Sequence, residues 1–186
     1  MPKPNLESIL TIADPMLSDN FEFIFGTIPG SNSTEPLRLQ CKTAIKPGAT
    51  LEQVTYDLFG HTVEFAGRLT YSHTMSVEYV ENWQGTITRV LEKWQEMGRD
   101  HRSQHGKFKS GYATNAELII YNQIGEVSLK YKVFNVWPTE IPELSFDGSA
   151  ATALSLSASF SYDYYEVTQD NSGNGKAQGG GSLFGF

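Results

Sequence analysis

The chain lacks most of what marks a chemical site. Among its 186 residues there is one cysteine, Cys41. No intrachain disulfide can form, and zinc sites built on four cysteines, or on two cysteines and two histidines, are excluded within one chain. Cys41 is expected to act as a small buried hydrophobe rather than a reactive thiol. Basic residues are few, with 14 Lys and Arg against 21 Asp and Glu and a net charge of -7 at pH 7. A surface that grips nucleic acid neutralises phosphates with Lys and Arg. This balance excludes such a surface, but not one that lets DNA pass without holding it. No apolar run approaches the roughly 20 residues of a membrane helix. The opening Met1-Pro2-Lys3-Pro4-Asn5 lacks the basic-then-apolar layout of a signal peptide. The chain is expected to be made in the cytoplasm, with no membrane contact.

Catalytic patterns are lacking too. The histidines are His61, His73, His101 and His105. His101 and His105 lie four apart, but Arg102 stands where a zinc-protease motif needs glutamate, and no third ligand follows. His73 falls on the apolar side of its alternating run and is expected in the core. The C-terminal glycines, Gly173, Gly175 and Gly179 to Gly181, have no helix after them, so they form no phosphate loop. Carboxylates are spread singly, without the pair that general acid–base work needs. These absences point to a non-catalytic chain with no cofactor and no metal.

What is present is strand pattern. A chain of this length fits one domain and buries about 70% of its unfolded surface, and apolar residues are 39% of it. Phe21, Phe23 and Phe25 alternate with polar or outward residues. So do Leu37, Leu39 and Cys41; Val54, Tyr56 and Leu58; Val63 and Phe65; and the run Tyr71, His73, Met75, Val77, Tyr79. Period two suits strands with one face on a core. Phe59-Gly60 and Ile124-Gly125 sit between such runs and read as hairpin turns. The second hairpin pairs 116–123 with 126–135. The last strand reads as the longest, with Leu154, Leu156, Ala158, Phe160 and Tyr162 on one face. Ser155, Ser157, Ser159, Ser161 and Asp163 share the other. A core of Phe21, Val54, Tyr56, Val77, Trp94, Leu129, Tyr131, Leu154, Leu156 and Phe160 is expected.

One helix stands out, at about 82–97. Trp83, Ile87, Val90, Trp94 and Met97 recur at spacings of three and four and share a helical face, with Asn82 as N-cap. From Arg99 to Asn115 the chain reads as a long loop carrying Arg99, Arg102, Lys107 and Lys109. It suits a solvated loop against an acidic partner surface, or an anion site. From Gln169 onward the sequence is a Gly/Ser/Asn tail ending Ser182-Leu183-Phe184-Gly185-Phe186, which alone is flexible and which a neighbouring copy is expected to hold.

The polar sides of the strands carry the functional hint. The Leu51–Phe65 hairpin sets Gln53, Thr55 and Asp57 opposite Thr62 and Glu64, and from Leu51 to Glu81 five acids meet one base, Arg68. Such a face suits either the solvent side of a sandwich or the lining of a channel. A lining past which DNA slides must repel phosphates weakly rather than bind them.

Several stretches together resemble the tail tube proteins of contractile-tailed bacteriophages, which are related in fold to the tube protein of type VI secretion. They are Leu39-Gln40-Cys41-Lys42-Thr43-Ala44 with Pro47-Gly48, Phe65-Ala66-Gly67-Arg68-Leu69-Thr70-Tyr71, and Trp94-Gln95. Val136-Trp137-Pro138-Thr139, Leu144-Ser145-Phe146-Asp147 and Phe160-Ser161-Tyr162-Asp163-Tyr164-Tyr165 complete the series. The resemblance implies a mainly β fold, a β-sandwich or incomplete barrel with one flanking helix and a long hairpin. Segment 1–20 precedes a tail-tube domain at 21–168, and a Gly-rich tail follows at 169–186. It implies hexameric rings whose strands complete one continuous inner β-barrel, stacked as the inner tail tube of a virion and assembled in the host cytoplasm. The implied partners are other copies, the tail sheath protein, the baseplate and tail terminator proteins, the tape measure protein, and then genomic DNA passing unbound through the lumen.

On this sequence, Gln53, Thr55, Asp57, Thr62 and Glu64 become the first lumen candidates, and Ser155, Ser157, Ser159, Ser161 and Asp163 the second. Arg99, Arg102, Lys107 and Lys109, with the N-terminal segment, become the ring-to-ring or sheath contacts. A type VI secretion-like tube protein and, in another class, a small ligand-binding β-barrel are the alternatives.

Overall fold

The computed structural model describes residues 15–31, 33–149 and 151–168. Among them lie nine strands and two α-helices. These are β1 (Phe21–Phe25), α1 (Glu35–Leu39), β2 (Cys41–Ala44), β3 (Ala49–Leu58), β4 (His61–Tyr71) and β5 (Thr74–Val80). Then come α2 (Thr86–Gly98), β6 (Thr114–Tyr121), β7 (Val127–Glu140), β8 (Ser155–Ser161) and β9 (Tyr164–Thr168). The expectations for segment 1–14 and for the tail from Gln169 lie outside the described residues.

Seven strands form one antiparallel sheet, in the order β1-β6-β7-β8-β5-β2 with β9 also on β7. The longest is β7, not the final run that the sequence suggested. It pairs with β6 and β9 over its first part and with β8 from Trp137 onward. Between these partners stands Asn135 at φ 56, a backbone turn that lets one strand serve two layers. Phe23, Phe25, Leu118 and Val133 of one layer and Val77, Tyr79, Leu156 and Phe160 of the other form a single buried cluster. The strand path has two ends and does not close on itself. The result is a sandwich or incomplete barrel, mainly β, with one substantial helix.

That helix, α2, caps one end of the core. Ile87, Leu91 and Trp94 are buried, and the Trp94 ring meets Phe25 and Phe160 at centroid distances of 5.2 and 5.9 Å. Its indole N–H donates to Tyr112 O at 2.6 Å, so burying the ring strands no donor. The helix starts at Thr86 rather than near 82. Gly85 at φ 65 breaks the pattern, and Trp83, outside the helix, is 93% exposed. The cap comes from upstream. The Glu81 carboxylate accepts from the backbone N–H of Ile87 and Thr88 at 3.0 and 2.8 Å, and Asn82 Oδ1 accepts from Gln84 and Thr86. Burial alone raises the Glu81 carboxyl; the bonds from Thr88, Ile87 and Asn82 outweigh it and hold the group below its ordinary range.

Three further expectations are corrected. Leu37 and Leu39 are helical, in α1, because Pro36 sits in the first turn where its missing N–H costs nothing. Leu37 is buried and Leu39 exposed. His73 is not a core residue. It turns the corner between β4 and β5 at φ 55 and lies exposed, its Nδ1 3.0 Å from Tyr162 O. The stretch after α2 is no featureless loop: Arg99 bridges Gly106, Lys109–Gly111 is a 3-10 turn, and β6 begins at Thr114. Cys41 is half-buried, and burial pushes its thiol up to about 12.

Candidate functional site

Among the described residues the strands β3 and β4 pair only with each other and leave the sandwich as a separate two-stranded arm. Period-two alternation sorts their side chains onto two faces. Val54 stands opposite Phe65, and Tyr56 opposite Val63; on the other side Thr55 faces Glu64 and Asp57 faces Thr62. The turn places Phe59 at φ 50 and Gly60 at φ 77, two successive positive values of the kind a tight two-residue hairpin uses.

The root is pinned to the sandwich. Ser72 N donates to Gly48 O at 3.0 Å, and the buried Tyr162 hydroxyl lies 3.1 Å from Gly48 O and 2.7 Å from Ser72 Oγ. Tyr71 packs edge-on against Tyr165 at 5.6 Å.

Among the described residues nothing covers the arm. Val54 and Tyr56, expected in the core, are 52% and 56% exposed, and Phe59 at the tip is 98% exposed. The alternation placed them on one face correctly; it carried no information about whether anything lies against that face. The polar face gathers all five first lumen candidates, Gln53, Thr55, Asp57, Thr62 and Glu64. Thr62 Oγ1 donates to Asp57 Oδ1 at 2.6 Å. Asp57 and Glu64 make no ion pair among the described residues.

A second polar face lies on the sandwich. Ser155, Ser157, Ser159 and Ser161 of β8 alternate with buried Leu156, Ala158 and Phe160. Across the ladder stand Glu78 opposite Ser157, Ser76 opposite Ser159 and Thr74 opposite Ser161. Ser76 and Ser157 hydroxyls are 3.0 Å apart. Lys42 donates to Glu78 at 2.7 Å and holds that carboxyl below its ordinary value. This face presents hydroxyls and a compensated ion pair, whereas the arm presents bare acids.

Asp163 does not continue the serine row. It lies past the strand end, where Lys109 pairs with it and lowers its carboxyl, and where Asn135 Nδ2 donates to it at 2.7 Å. Lys109 is thereby engaged within the chain. Lys107 Nζ lies 3.1 Å from Met97 Sδ. Arg99 and Arg102 are exposed. Among the described residues no three His, Cys, Asp or Glu gather as metal ligands would, and no helix is long and apolar enough to cross a membrane. Sequence reasoning missed the apolar side of the arm as a feature in its own right; the signal was present in two alternating runs flanking Phe59-Gly60 with no third strand beside them.

A model described as phage tail tube protein matches residues 10–168. The chain belongs to the phage tail tube protein family. That family is structural, which agrees with the absence of catalytic pattern in the sequence. Solved structures share the fold of this tail tube protein at low identity. The sheath-tube complex of an extracellular contractile injection system, PVC, in its extended state aligns with a TM-score of 0.62 and 13% identity. That alignment covers 90% of this chain and 99% of that one. The tube-terminating cap of the anti-feeding prophage aligns at 0.60 with 14% identity, over 86% and 94%. A type six secretion system protein aligns at 0.45 with 10% identity, over 79% and 81%, too slight a likeness to carry an argument. Comparison with curated proteins finds no match.

Proposed function

We propose that copies of this chain form hexameric rings that stack into the inner tail tube of a contractile phage, a hollow conduit through which DNA leaves the virion. The observation that carries this reading is the β3–β4 arm. A two-stranded hairpin is marginal in water, and a contiguous exposed apolar face marks a contact surface. A second copy lying on Val54, Tyr56, Val63 and Phe65 supplies the missing cover. The opposite face, with Gln53, Thr55, Asp57, Thr62 and Glu64, is then left to the channel, and the serine row of β8 extends the lining. Its acids weakly repel phosphates within the roughly 8 Å that salt leaves unscreened, so DNA slides without sticking.

Open sheet edges fit the same assembly. The strands β1 and β2 end the sheet path, and completing them with a neighbour's strands removes the hazard of free edges. A head-to-tail contact that does not close generates a filament. Arg99, Arg102 and Lys107 make no ion pair among the described residues and can meet a neighbouring ring or the sheath, while Lys109 is held by Asp163. The sheath, baseplate, terminator and tape measure proteins are the other partners in this reading. The sheath, baseplate and cap or terminator assemblies in which structures of this fold occur support the first three of them.

The test is the purified chain at rising concentration, followed by light scattering and negative-stain microscopy. Rings or hollow tubes are expected. A persistent single 20.7 kDa species contradicts the proposal.

A further inference from the structure

At the C-terminal end of α2 lies a cleft of about 540 Å³ whose lining includes Trp94, Gln95, Arg99, His101, Tyr112 and Trp137. The Tyr112 and Trp137 rings meet edge-on at 5.6 Å. Arg99 is exposed and makes no ion pair among the described residues. No acid stands in the lining. Such a cleft suits an aromatic ring that arrives beside a carboxylate.

Three aromatic side chains off the arm stand nearly bare among the described residues. Trp83, Phe108 and Phe146 are 93%, 91% and 80% exposed. Their flanks separate them. Phe108 sits between Lys107 and Lys109 and so carries the cleft's own sign. Trp83 lies between Asn82 and Gln84, and the nearby Glu81 carboxylate is engaged by the first turn of α2. Phe146 lies between Glu143 and Asp147, with no basic residue close in sequence. Asp147 accepts from the Ser149 N–H and hydroxyl at 2.9 and 2.6 Å, a local turn that steadies the chain just after the ring.

The ring and the cleft lie at opposite ends of the sandwich. Residues 143–148 share a hollow with Leu154 and Ser155, and Glu81 N donates to Leu154 O at 2.9 Å just before α2 begins. Ser155 pairs with Val80, whereas Ser161 at the far end of β8 pairs with Trp137 of the cleft. The length of β8, about 20 Å, separates the two places, and the 13 residues of α2 span a similar distance.

We propose that the Phe146 ring of one copy seats in the Trp94, Tyr112 and Trp137 cleft of the next, with Glu143 and Asp147 facing Arg99. This contact rests on the ring-and-tube reading and names what joins one ring to another. It is heterologous: each copy that fills a neighbour's cleft leaves its own open, and repetition lengthens a filament. The arm joins copies within a ring, so the two contacts are separable.

Phe146→Ala separates them. The side chain is exposed, so the denaturant midpoint should not move. Rings should persist, while the concentration needed for tubes should rise at least about tenfold, as truncating an aromatic anchor implies. Tubes at the wild-type concentration would overturn the inference and leave the ring reading standing. A second measurement uses thiols in a Cys41→Ser background. Chains carrying both Ser145→Cys and Gln95→Cys should be joined by a short bis-maleimide into a ladder of multimers. An equal mixture of the two single variants should give dimers, and either single variant alone should stay unlinked. A ladder without rings in the microscope would support this contact and sink the ring reading. Self-linking of a single variant, or bridging only within one chain, would overturn the contact.

Discussion

The sandwich and the β3–β4 arm are written in the same alternating pattern, and they differ in what lies against the apolar side. In the sandwich, Val77, Leu156 and Phe160 alternate with polar neighbours and are fully buried by the chain itself. In the arm, Val54, Tyr56, Val63 and Phe65 alternate just as regularly and remain about half exposed. Alternation assigns residues to faces; it does not say which molecule covers a face. The core of one region is buried within the subunit; in the proposed assembly the other is covered between subunits.

This contrast orders the expected effects on the stability of a single chain. Trp94→Ala should have the largest. It empties the end of the core that Phe25 and Phe160 share and leaves Tyr112 O without its donor, costing about 3–5 kcal/mol, measurable as a lowered denaturant midpoint. Glu81→Ala should cost about 1–2 kcal/mol, the usual value of a lost N-terminal cap. Its effect should also depend on pH. The folded Glu81 carboxyl lies below the ordinary value of 4.5, so its contribution is fully present above that value. It fades as pH falls through the depressed folded value. The stability gap between wild type and Glu81→Ala should therefore narrow on acidification below about pH 4; a gap constant down to pH 2 breaks this assignment. The smallest effect is expected on the arm. Val54→Ser with Phe65→Ser should change single-chain stability by less than about 0.5 kcal/mol while abolishing assembly in light scattering. A large loss of stability in that double variant would mean that the arm is covered by its own chain after all.

Much of this was legible before the fold was known, and the failures have physical causes. The turns at Phe59-Gly60 and Ile124-Gly125 and the facing rows of β5 and β8 follow from local backbone chemistry, so they read correctly. The five polar residues of the arm share a face for the same reason. Leu37 and Leu39 misled because three residues of alternation cannot be told from a short helical turn; Pro36 was the clue. Trp83 matched a helical spacing but preceded a glycine at positive φ, which ends any such face. His73 continued an alternating run across a corner that only the Tyr162 and Gly48 contacts define. Asp163 left the serine row because the backbone bends after Ser161 and Lys109 draws it aside. The length of β7 stayed hidden because Pro138 interrupts it in sequence while Asn135 lets it pass from one layer to the next.

The central claim is that a neighbour covers the apolar side of the arm and leaves the polar side open to the channel. Thiol labelling of Tyr56→Cys and Thr55→Cys, each in a Cys41→Ser background, tests this directly on free and assembled protein. Both sites should react in the free chain; after assembly Tyr56→Cys should be shielded while Thr55→Cys still reacts with a small reagent entering the lumen. Equal labelling of the two sites in assembled particles would contradict the account.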